Sequence, residues 1–164
     1  MPLSLNDIRH LDAAETWLER GDYLNCFEEL ERIAYSNRGH ARELVLRWKL
    51  YHQSGYHVSA ANLAEGIQHQ FPDEPAGYVW RAVSLSKLGC AQEAYDGLLA
   101  VADRFDGLGM IYYTLAVLAA RLERTILAGA WLVKAYHTPQ GREMKPLSLK
   151  EEEQDEFWRK IEAV

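Results

Sequence analysis

His52 and His57 are the side chains of this sequence whose type and spacing come nearest to doing chemistry. They stand five positions apart on either side of Gly55, so a turn there would let two imidazoles approach one ligand. Structural zinc takes four nitrogen or sulfur ligands, and no further His or Cys stands close to this pair. The other histidines, His10, His40, His69 and His137, form neither an H-x-x-x-H pair nor an H-E-x-x-H helix. Cys26 and Cys90 are too few for a disulfide framework and make no C-x-x-C pair. Cys26 lies among Leu24, Phe27 and Leu30 and reads as a small core residue. There is no phosphate-cradling glycine loop, no G-x-S-x-G and no cysteine with a predictable histidine partner. No catalytic residue, metal ligand or cofactor is therefore assigned, and the chain is expected not to be an enzyme. A catalytic or small-ligand reading would need a pocket lined by His52, His57 or Tyr113.

The elements that carry these residues belong to a folded protein. Across 164 residues, 48% are apolar and 26% charged, a composition that can fill a core. The formal net charge of −6 argues against nucleic acid, whose affinity for proteins comes from clustered Lys and Arg. It argues equally against an anionic membrane surface. Residues 1–11 are interrupted by Asp7, Arg9 and His10, unlike a secretory leader, and no stretch of about 18 residues is apolar enough to span a bilayer. A cytoplasmic location is the expectation.

Positioning comes from an internal period. Gly21, Gly55 and Gly89 are 34 residues apart, and the next step falls on Glu123 in a polar turn. Five residues after each turn stands a small side chain: Cys26, Ala60, Ala94, Ala128. Leu30, Ala64, Leu98 and Leu132 follow four residues later, then Ile33, Ile67, Val101 and Ala135 after three more. Steps of four and three share one helix face. Before the turn, Ala14, Trp48, Ala82 and Ala116 are in register, as are Trp17, Tyr51, Leu85 and Ala119. Each period is thus a helix, a tight turn and a second helix. The spacing predicts helices over 7–20 with 24–36, 41–54 with 58–70, 75–88 with 92–104, and 109–122 with 126–137.

This pattern resembles the tetratricopeptide repeat family, which shares the 34-residue length. The resemblance rests on Ala14, Ala82 and Ala116, on Gly21-Asp22-Tyr23, on Glu93-Ala94 and on Pro72. Trp48 departs from it by standing where a small residue is usual, and Glu123 by replacing the turn glycine. The resemblance implies an all-α, right-handed α-solenoid of four repeats, 7–40, 41–74, 75–108 and 109–142, within residues 1–142. Residues 143–164 would form a linker and a C-terminal capping helix, with Ser148-Leu149-Lys150-Glu151 as its capping box and Phe157, Ile161 and Val164 as its apolar stripe.

By the same resemblance, the first helix of each pair lines an inner surface that receives a segment of another protein. The residues it assigns there include Arg42 and Lys49, a positive spot, and Val79, Val83, Met110, Tyr113 and Val117, an apolar strip. That strip could take a partner segment, the tail or a second subunit of a homodimer, or could be inner packing. The expected function is protein–protein interaction; a small acidic chaperone of a bacterial secretion system is the alternative, since such proteins share this size, acidity and repeat content.

Overall fold

The computed structural model describes residues 3–139, and the tail expected to cap the array lies outside them. Among the described residues all regular structure is helical, with eight α-helices and no strand. They are α1 (Leu5–Glu19), α2 (Tyr23–Glu31), α3 (Ala41–Gln53), α4 (His57–Gln70), α5 (Pro75–Lys87), α6 (Ala91–Ala102), α7 (Gly109–Arg121) and α8 (Thr125–Tyr136). The starts of α3, α5 and α7 are 34 residues apart, as are those of α2, α4, α6 and α8. No described helix is long and apolar enough to cross a membrane.

The turn between paired helices has one backbone solution, used four times. Gly21, Gly55 and Gly89 adopt φ of 73°, 83° and 83°, the left-handed region that a Cβ makes costly. Glu123 adopts φ 60° at the corresponding position, the one non-glycine residue among those described to do so. At the first turn Gly21 N–H donates to Leu18 O and Asp22 N–H to Trp17 O; at the fourth, Glu123 N–H donates to Ala120 O and Arg124 N–H to Ala119 O. These paired bonds satisfy carbonyls that a helix end would otherwise leave open.

The helices fall into two compact units, Met1–Leu88 and Gly89–Val164, so the division runs through the turn of the third repeat. In the first unit α1 packs on α2 and α3, α2 on α3, α3 on α4 and α4 on α5. Leu11, Ala14, Leu18, Cys26, Leu30, Ile33, Leu46 and Leu50 form a buried cluster. Each large side chain so buried contributes roughly 1.5–3 kcal/mol. Gly77 marks a close α4–α5 crossing, because a Cβ there would lie 3.0 Å from Ile67 Cγ2 and 3.1 Å from the backbone nitrogen of Gln68.

Polar groups fix the join between the first two pairs. Ser4 caps α1 by accepting from Asp7 N–H at 3.0 Å. The buried Asp7 carboxylate accepts from Ser4 Oγ, from Ala34 N–H and from Asn37 Nδ2, at 2.6, 2.9 and 2.8 Å. Those bonds hold its pKa down at about 2. Arg38 donates to Glu31 O and Ile33 O, and α2 stops at Glu31, short of the expected residue 36. Within α3, Arg47 bonds Glu43 at 2.5 Å, and it reaches Glu31 of α2 at 2.8 Å. Glu43 is 1% exposed, and burial pushes its carboxyl above the ordinary value against the pull of Arg47. Burial likewise pushes the Cys26 thiol up to about 11.

In the second unit α7 packs against α6 and α8. Tyr112 stacks on Trp131 with ring centroids 5.8 Å apart, and Lys134 Nζ sits 4.3 Å from the Tyr112 centroid. The Tyr112 hydroxyl donates to Asp106, and Trp131 Nε1 donates to Tyr95 at 3.0 Å. Nine of the 13 residues of α7 are buried.

Candidate functional site

The most distinctive cluster of half-buried side chains lies in the first unit, on α3, α5 and the start of α4. Trp48 on α3 stacks on Trp80 of α5, with centroids 5.0 Å apart and planes within 12°. One turn later along α3, His52 stacks on Trp48 at 4.9 Å and 14°. His57, at the start of α4, meets His52 at 5.5 Å with tilted rings. Four rings thus run in order from Trp80 through Trp48 and His52 to His57. The order follows from helical spacing: 48 and 52 are one turn apart on α3, which places both rings on one face. Ser84, one turn beyond Trp80 and fully buried, locks the stack. Its Oγ accepts from Trp48 Nε1 at 3.2 Å and donates to Trp80 O at 2.8 Å.

The two imidazoles at the end of this ladder are partly enclosed. Nδ1 of His52 and Nδ1 of His57 are both buried and have no hydrogen-bond partner among the described residues. Burial lowers the His52 pKa, and the neighbouring His57 and Lys87 lower it further. Among the described residues no group of three or more His, Cys, Asp or Glu side chains is placed to hold a metal ion.

The electrostatics around the ladder run opposite to those of the chain. α3 carries Arg42, Arg47 and Lys49 with one acid, the buried Glu43; α5 carries Arg81 and Lys87 with none. Arg81 lies 3.9 Å from Glu65. Lys49 follows Trp48 directly and Lys87 influences His52; both are exposed, and neither has an ion-pair partner among the described residues. A locally basic pair of helices therefore sits within a chain of net charge −6.

The residues expected at an inner surface fall on both units. In the first, Arg42 bridges Asp12 at 2.7 Å and Glu15 at 2.8 Å, so α1 neutralises it and the positive spot reduces to Lys49. Val79 is 7% exposed and belongs with the buried residues, while Val83 is half-buried. In the second, Tyr113 is 8% exposed on the largely buried α7, Val117 is half-buried, and Met110 is exposed at the start of that helix. Val79 and Tyr113 are thus the two members of the apolar strip that are buried. Trp48 and Trp80 were missed. Their signal was present in Trp48 itself, a large ring in a column otherwise filled by alanine, where it cannot fit between close helices and must find another neighbour.

Compared with protein-family models, with curated proteins and with solved structures, the chain matches none.

Proposed function

We propose that the chain is a non-enzymatic α-solenoid of the tetratricopeptide type, and that the α3–α5 surface around Trp48 and Trp80 receives a segment of another protein. The observation that carries the repeat reading is the recurrence of a left-handed turn residue and of two helix starts every 34 residues. The ladder supports the binding reading. Half-buried tryptophans with fixed orientation offer large contact area at little entropic cost, the property that concentrates binding energy in Trp, Tyr and Arg at protein interfaces. Ser84 supplies that fixed orientation before any partner arrives.

The test is site-specific photo-crosslinking in cells, with the crosslinker at position 49 beside the ladder or at position 24 on α2, where Leu24 is 69% exposed. The expected result is one protein crosslinked from position 49 and not from 24, whose purified form then binds the chain and loses affinity on Trp80→Ala. Equal yields from both positions, or a purified candidate indifferent to Trp80→Ala, would overturn the proposal.

A further inference from the structure

The partner's chemistry can be read one step further, on the assumption that the α3–α5 surface is the binding surface just proposed. We infer that this surface selects an acidic segment anchored by an aromatic side chain: Lys49 and Lys87 stand exposed on the two helices that carry the Trp80–Trp48–His52 ladder, and those helices expose no acid. Three observations converge. The acidic side chain of α3, Glu43, is buried against Arg47, and α5 has none. The ammonium groups of Lys49 and Lys87 have no ion-pair partner among the described residues, whereas Arg42 and Arg47, on the same α3, are both paired with carboxylates. The other charged helices of this unit do expose acids, Asp12 and Glu19 on α1, Glu28 on α2 and Glu65 on α4, so a carboxylate-rich segment meets like charge there and none on α3 or α5.

A peptide fits better than a nucleic acid strand. Single-stranded nucleic acid binds through the open faces of aromatic rings. Here the facing sides of Trp48 and Trp80 are occupied by each other, and one face of His52 by Trp48. The edges of the stacked rings suit side-on contact by another aromatic ring.

The probe is an eight-residue peptide of Glu and Asp with one central Trp, fluorescein-labelled and titrated with the full chain by fluorescence anisotropy. Its neutral counterpart carries Gln and Asn instead. Expected are saturable binding of the acidic peptide, at least tenfold weaker binding of the neutral one, and marked weakening between 50 and about 500 mM salt as charges are screened. Lys49→Glu with Lys87→Glu should reduce affinity tenfold or more, while Arg9→Glu on α1 should leave it within twofold; circular dichroism verifies that each variant is folded. No binding of the acidic peptide, equal binding of the neutral one, or tighter binding of a single-stranded oligonucleotide of the same length would each overturn the inference. A crosslinked partner at position 49 that proves basic or neutral would overturn it too, while leaving the proposed binding surface standing.

Discussion

Glu123 closes α7 with the same pair of backbone hydrogen bonds by which Gly21 closes α1. The two residues lie three periods apart and share a positive φ, 60° and 73°. The fourth turn therefore keeps the geometry of the other three after losing the residue that makes it easy. At Gly21, Gly55 and Gly89 a Cβ would meet nothing within 4 Å, so the demand for glycine there comes from the backbone and not from a neighbour.

Glu123→Gly should accordingly stabilise the protein by about 1 kcal/mol, by relieving a left-handed residue that carries a Cβ. Gly55→Ala should cost roughly 1–2 kcal/mol for the converse reason. Urea unfolding midpoints measure both. A Glu123→Gly variant no more stable than the parent would mean that its side chain compensates the strain.

Gly77 and Gly66 should respond in opposite directions to the same substitution. Gly66 is helical with open space around it, so Gly66→Ala should gain about 0.5–1 kcal/mol from backbone entropy. Gly77→Ala must push α5 away from Ile67 and Gln68 on α4, at a cost of about 1–3 kcal/mol. Thermal melts showing the same sign for both would contradict the close α4–α5 crossing.

Two stacked indoles couple their electronic transitions, so the Trp48–Trp80 pair should give a split circular-dichroism band in the far ultraviolet. Trp48→Phe and Trp80→Phe should each abolish it, with helical content retained. A band that survives either change would place the rings apart.

Acid should weaken the fold in two separable steps. His52 binds a proton less readily when folded than its ordinary value of 6.5, so its contribution is complete above that pH and is lost as pH falls below it. His52→Phe preserves a ring against Trp48 and should flatten the stability profile between pH 7 and 5. Asp7, held at about 2 against an ordinary 3.8, contributes above 3.8 and loses that contribution as pH falls toward 2. Asp7→Asn should flatten only the lower step. A single variant that removed both steps would show the sites to be coupled.

Arg47→Met should be among the most damaging changes in the first unit, at roughly 3–5 kcal/mol, because it leaves the Glu43 carboxylate buried without its partner. Replacing Glu43 and Arg47 together by apolar residues should cost much less than Arg47→Met alone, and chemical denaturation of the single and double variants reads the difference.

The helical frame was legible because its signals are local or periodic. Pro75 starts α5, the turn positions recur, and small residues mark close helices. The short α2 was not legible. Its end is set by Arg38 on its carbonyls and by Asp7, 27 residues earlier, which takes the Ala34 N–H that a longer helix would have used internally. The site was legible only in part. Lys49 is exposed on α3, but the depth of Val79 and Tyr113 depends on how much of each helix its neighbours cover, and a 34-residue period carries no such information. Trp48 shows the opposite case, in which one residue breaking its column announced a contact that the pattern alone could not name.

The open, left-handed turns have a consequence for chemical synthesis. A position whose backbone penalises an L side chain because of its handedness is one whose φ a mirror-image residue adopts without strain. A chain assembled by ligation could carry D-alanine at 21, 55 and 89. Each replacement would restrict the unfolded chain more than glycine does while matching the native backbone, so protection from proteolysis and added stability would arrive through the same three atoms.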